Sequence, residues 1–184
     1  VFFVDEDIIP DRVLLVAHQR AAEAVPEALV AGRVLQTWHQ GKADPDDSVF
    51  LFNSLKRQEV KEFIGCNVSM PRRLALEIGG FDANFVKVAY RFEAEFCHRW
   101  LQSGLPIHYE PDALIHHLKT SQGGTRSYGE HLVTFRPNHA VGRYYYRLCS
   151  QPLAEALAGS VKDLLTSVRT RHHLSHPWWI PATL

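Results

Sequence analysis

An excess of charge of either sign is missing from this sequence: twenty basic residues are cancelled by twenty acidic ones over 184 residues. Nucleic acid is therefore not an expected partner, since bulk electrostatics of that kind need a basic surplus. Cysteine is scarce as well. Cys66, Cys97 and Cys149 lie far apart, and any pairing leaves one over, which excludes a disulfide framework and leads us to expect a reduced, cytoplasmic setting. No apolar run approaches the roughly 20 residues that cross a bilayer, so any membrane contact is expected to be peripheral, at the inner face. Internal repeats and low-complexity stretches are also lacking. The length suits one ordinary domain. Because the sequence lacks an initiator methionine and opens inside what reads as a central strand, a fragment of a larger domain is expected.

What is present begins with Val1-Phe2-Phe3-Val4, then Asp5-Glu6-Asp7, then Ile8-Ile9-Pro10. Four apolar β-formers in a row suit a strand covered on both faces, as in a parallel sheet with helices on each side. Ligands of such sheets bind beyond the carboxyl ends of the strands. If the chain stays extended, Asp5 and Asp7 project to one side, since side chains alternate along a strand. Two hard oxygen ligands there suit Mg²⁺ or Mn²⁺. The competing reading is a polar strand end that also caps the helix starting near Pro10 or Asp11.

Further along, the spacing predicts a helix over 11–24 stopped by Pro26, a strand over 28–35, a polar loop over 41–48 and a strand over 60–68. Pro71 opens a short helix that Gly79-Gly80 ends. Phe92, Phe96 and Trp100, spaced by four, mark a helix over 92–102. Short strands follow over 107–109 and 113–116, then a flexible loop over 121–127. Residues 138–148 and 152–168 read as helices. The second carries an apolar stripe of Leu153, Leu157, Val161, Leu164 or Leu165, and Val168. The tail, rich in histidine and tryptophan, has no clear period and fits no standard metal site. Strands alternating with helices predict an α/β domain.

Five segments occur in order: Asp5-Glu6-Asp7; Gly65-Cys66-Asn67-Val68-Ser69-Met70-Pro71-Arg72-Arg73; Gly79-Gly80-Phe81-Asp82; Phe92-Glu93-Ala94-Glu95-Phe96-Cys97-His98-Arg99; and Pro111-Asp112-Ala113-Leu114-Ile115-His116-His117. The series, over about residues 1 to 147, resembles the second half of family 2 glycosyltransferases. The resemblance implies part of a GT-A fold, a Rossmann-like mixed sheet flanked by helices, over residues 1–135. A C-terminal helical extension and tail would fill 136–184. The nucleotide-binding half would lie outside this sequence.

By that resemblance Asp5 and Asp7 hold a divalent metal on the donor's diphosphate, with Asp5 also touching substrate, and His117 completes the site. His116 would face the other side of the strand. Asp82 would bond sugar hydroxyls, although Gly79-Gly80 also reads as an ordinary helix end. Anchored on Arg99, the family's acidic pattern places Glu93 at the catalytic base and Glu95 at the second acid. Phe92 replaces its leading Glu and Glu93 its usual Asp, so which carboxylate is the base stays open. For Glu95 a solvated salt bridge to Arg99 competes. Arg126, in the Gly123-Gly124-Thr125-Arg126 loop, would clamp diphosphate oxygens. Arg72 or Arg73 could meet phosphate, with surface solvation the reading for at least one.

The activity implied is metal-dependent, inverting transfer of a sugar from a nucleotide-diphosphate donor to a saccharide, lipid-linked or other hydroxyl acceptor. As a fragment the chain is expected to be inactive or nearly so. Asp7, Glu93 and His117 are expected to converge on one cleft. Two other readings stand beside it. A non-catalytic assembly module would form a homo-oligomer by β-pairing along Val1 to Val4, and a nucleotidyltransferase of similar fold would need a basic nucleotide-binding signature outside this sequence.

Overall fold

The computed structural model describes residues 1–39, 50–119, 127–128, 132 and 136–183. The chain forms two compact units, Val1–Phe81 with Phe96–Thr120, and Asp82–Glu95 with Ser121–Leu184.

The first unit is built on a mixed sheet. Its strands are β1 (Phe2–Val4), β2 (Ile8–Pro10), β3 (Leu29–Gln36), β4 (Gln58–Glu59), β5 (Asn67–Ser69) and β6 (Ile107–His117). They run in the order β1-β5-β3-β6-β2, with β4 also on β6. β3 and β6 are parallel, whereas β1 pairs β5, β5 pairs β3 and β2 pairs β6 antiparallel. The helices are α1 (Leu14–Ala24), α2 (Arg72–Glu77) and α3 (Phe92–Gln102), the last entering this unit at Phe96.

β3 is buried from Leu29 to Leu35, Arg33 included, as a strand covered on both faces requires. Alternation along it feeds two cores. Leu29 and Ala31 pack with Leu74 and Ala75 of α2 and with Phe96, Cys97 and Trp100 of α3, while Val34 packs with Leu14 and Ala17 of α1. Phe96 and Trp100 are fully buried, as their spacing by four predicts, and truncating either to Ala should cost about 3–5 kcal/mol.

Three expectations are corrected. β1 is not a central strand covered on both faces. It lies at the sheet edge, and Val1, Phe3 and Val4 are exposed, because β5 is its single partner among the described residues. No strand spans 60–68 either. Phe63 and Cys66 drop into the two cores and the amide of Asn67 closes a turn onto Ile64, so only Asn67–Ser69 joins the ladder. The two short strands after α3 are one strand, β6, whose register against β3 breaks between the pairs Gly32↔Glu110 and Arg33↔Leu114.

That break is stitched by Asn67. Its Nδ2 donates to the carbonyls of Arg33 (3.0 Å) and Ala113 (2.7 Å). Gly32 is required here, since a Cβ would stand 2.2 Å from Asn67 Nδ2 and 2.6 Å from the Ala113 carbonyl oxygen. From α1 the buried His18 donates through Nε2 to Asn67 Oδ1 at 2.9 Å, and its Nδ1 lies 2.9 Å from Ser69 Oγ. Burial lowers the pKa of this imidazole, against the opposing pull of Asn67 and Glu110.

In the second unit residues 82–91 are turns and coil that lead into the first turn of α3, and α4 (Val141–Ser150), α5 (Leu153–Ser167), α6 (Arg171–Ser175) and α7 (Ile180–Thr183) follow. Arg147 on α4 bonds Asp163 on α5 at 2.8 Å, which ties the two helices together. The stripe expected on α5 exists, yet Leu153, Leu157, Val161 and Leu165 are exposed. In the tail Thr170 caps α6 by accepting from the amide of His173. Cys66 and Cys97 are buried and Cys149 is exposed, all three unbridged. No described helix is long and apolar enough to cross a membrane.

Candidate metal centre

Val4 ends β1 and Ile8 begins β2, so Asp5-Glu6-Asp7 carries the chain from one edge strand to the other, at the end where β3 and β6 finish. Ile8 pairs with His117, and the amide of Leu118 donates to the Asp7 carbonyl at 2.8 Å. The strand register thus delivers the histidine to the acidic turn. Asp5, Asp7 and His117 each offer a ligand atom within 4.8 Å of the others, and they are the group of metal-ligating type found among the described residues. As expected, His116 is exposed on the opposite side.

The imidazole is oriented from both sides. Gln36, the β3 partner of His117, presents Oε1 to Nδ1 at 3.1 Å. An amide oxygen only accepts, so Nδ1 carries the hydrogen and Nε2 is left toward the Asp7 carboxylate, 3.3 Å from Oδ1. A neutral imidazole would then set a lone pair against an anion, an arrangement relieved by a proton or a cation between them. Adjacent ligands of an octahedral ion with bonds near 2.1 Å stand about 3 Å apart, so the separation suits Mg²⁺ or Mn²⁺. The hydrogen-bonded second nitrogen is also the usual partner arrangement for a ligating histidine.

Asp5 is exposed as a residue, yet enough protein surrounds its carboxyl for desolvation to raise the pKa; the open position keeps that effect modest. His117 pulls the value down, and Asp7 and Glu6 push it up. Three carboxylates in sequence beside one imidazole leave a surplus of negative charge, which a divalent ion would offset.

Asp82, Glu93 and Glu95 belong to the second unit. Asp82 accepts from the Tyr145 hydroxyl at 2.7 Å and from the Asn84 amide at 2.8 Å. The Asp82 contact is the leading cause that pushes the Tyr145 phenol up to about 12. Glu93 and Glu95 occupy the first turn of α3. Glu95 is buried, not the solvated group considered from the sequence, and Arg99 donates to the carbonyls of Ile78 (2.6 Å) and Gly80 (2.8 Å). Those bonds secure the helix end at Gly79-Gly80, where both residues take positive φ, 95° and 67°. Arg73 is solvated and spent on Glu77 and Glu27. Arg126 lies outside the described residues.

Sequence reasoning missed Gln36, because its role exists only through the β3–β6 register. It also passed over Arg33. The signal was there, a single cation inside the apolar run from Leu29 to Leu35. No family model matches the chain, and none of the curated proteins matches it.

Proposed function

We propose that the chain is the metal-binding part of a glycosyltransferase that moves a sugar from a nucleotide-diphosphate donor to an acceptor hydroxyl with inversion. One observation carries this reading: His117, far along the sequence from Asp5 and Asp7, meets them at the carboxyl ends of two parallel strands in a mixed α/β sheet. The order of the other motifs supports it, including a GT-A identity for the sheet.

In this reading Asp7 and Asp5 supply oxygens and His117 supplies Nε2 to Mg²⁺ or Mn²⁺, with Gln36 holding the imidazole in register. A divalent ion bound there would neutralise charge building on the leaving diphosphate. Glu93 is assigned as base by the resemblance, with Glu95 the alternative. It takes the acceptor hydroxyl's proton as that oxygen attacks the anomeric carbon and the bond to the diphosphate oxygen breaks. Asp82 and Arg126 are assigned to the sugar and the diphosphate on the same ground.

The test is binding of a panel of nucleoside-diphosphate sugars with and without Mn²⁺, repeated with Asp7→Ala. Mn²⁺-dependent binding lost in the variant supports the assignment, and binding that the substitution leaves unchanged removes it. Release of pyrophosphate in place of a nucleoside diphosphate would move the reading to a nucleotidyltransferase.

The open edge of β1 favours a second reading, an assembly module pairing with a second copy along Val1, Phe3 and Val4. A defined dimer on size exclusion, lost with Phe3→Lys, supports it, whereas a monomer excludes it.

A further inference from the structure

The break in register between β3 and β6 leaves Pro111, Asp112 and Ala113 without partners on β3. A cleft of about 320 Å³ opens beside it, lined by Arg20 of α1, Arg33 of β3 and Arg57, together with Asp11, Glu110 and Asp112. None of the ligands of the candidate metal centre lines this cleft. Its charges are unevenly matched. Arg57 is committed, with Nε donating to Glu110 Oε2 at 2.8 Å and Nη2 to Asp112. Glu110 is spent in turn, since its Oε1 accepts from the Asp112 amide at 3.0 Å. Asp11 Oδ1 accepts from the Val13 amide at 3.0 Å.

Arg33 differs. It is only 9% exposed, and its Nε and Nη2 both donate to one neutral acceptor, Asn53 Oδ1, at 3.1 and 3.0 Å. Among the described residues no carboxylate lies within ion-pair distance of Arg33 or of Arg20. A guanidinium has five N–H donors and keeps its proton, so burial without an anion is costly. Such a cation on a cleft wall, with a second unpaired cation beside it, is the arrangement that takes up an external anion.

We propose that this cleft binds a small-molecule oxyanion, a phosphate monoester or a carboxylate, held by Arg33 and Arg20. Arg33 faces the anion with the donors that Asn53 leaves over. Arg20, being exposed, closes on it from the rim. Asp11 and Asp112 stand where they accept from hydroxyls of the same ligand, so a phosphorylated or carboxylated polyol fits better than a bare ion. The volume matches the smaller end of ligand sites, about 300 Å³ and upward. The register break supplies the room, as bulges beside binding sites do.

The test is calorimetric titration of the whole chain with inorganic phosphate and, separately, with malonate, each against sodium chloride at equal ionic strength. Saturable binding of either anion is expected, and the tighter one identifies the headgroup. Arg20→Ala should weaken it roughly fivefold to tenfold, the loss of one charge-assisted contact, and Arg33→Met more. Arg33→Met removes a buried group, so its fold is checked by circular dichroism. If it unfolds, the exposed Arg20→Ala decides alone. Binding no stronger than the chloride control, or Arg20→Ala binding as tightly as wild type, overturns the proposal.

Discussion

His117 Nε2 stands 3.3 Å from Asp7 Oδ1, and Gln36 fixes the ring by accepting from its other nitrogen. The pair is preset by strand register, because Ile8 faces His117 across β2 and β6. If the pair ligates a cation, His117→Ala should weaken Mn²⁺ binding at least tenfold, and Gln36→Leu should weaken it by about tenfold through misorientation of the ring. Electron paramagnetic resonance of free Mn²⁺ measures both. Equal affinity in wild type and His117→Ala would remove His117 from the site.

A second prediction concerns Gly32. Its Cα faces Asn67 and the Ala113 carbonyl so closely that a methyl group would displace the amide bridging β3 and β6. Gly32→Ala should destabilise the chain by about 1–3 kcal/mol, read as a lower urea midpoint. An unchanged midpoint would mean that Asn67 yields without loss.

The pH dependence of stability should carry the mark of His18. Its folded pKa is depressed below the ordinary 6.5 by burial, so the unfolded chain binds the proton more readily. The His18 contribution is fully present above the unfolded value and is lost as pH falls from there toward the depressed folded pKa. The slope from this one group reaches at most about 1.4 kcal/mol per pH unit. Urea melts from about pH 7.5 to about pH 5.5 in wild type and His18→Gln isolate it, the variant being flatter. Parallel curves would contradict it.

Tyr145 offers a spectroscopic check on the second unit. With the phenol donating to Asp82, tyrosinate should form only at about pH 12. Asp82→Asn should bring that transition down in an ultraviolet titration. If the midpoint stays where it was, the carboxylate is not its cause.

Much of this architecture could be read from residue order. The apolar run of β3, the spacing of Phe96 and Trp100, and Pro71 with Gly79-Gly80 each encode an element locally, and each forms where its pattern lies. Asp5 and Asp7 do come together, but across a bend at Glu6 and Asp7 and not by the alternation of an extended strand. What failed was position within the sheet. Val1-Phe2-Phe3-Val4 has the composition of a central strand, yet pairing leaves it at an edge. The residues 60–68 are apolar because they plug two cores, a use that composition does not distinguish from a strand. Gln36 and Arg33 gain their meaning from partners on other strands, which a single sequence does not display.

The interruption in β6 also acts as a phase setter. Three residues, Pro111 to Ala113, intervene while β3 advances from Gly32 to Arg33, and pairing then resumes at Leu114. Every side chain downstream inherits its facing from that count. If one residue were removed and Leu114 drawn in to refill the three-residue span, pairing would resume one residue later, flipping the strand's parity and turning His116 to the side that His117 now occupies. Length variation at this point is thus a more abrupt change to the centre than most substitutions within it, and a chain bearing it would keep its composition while exchanging one imidazole for another.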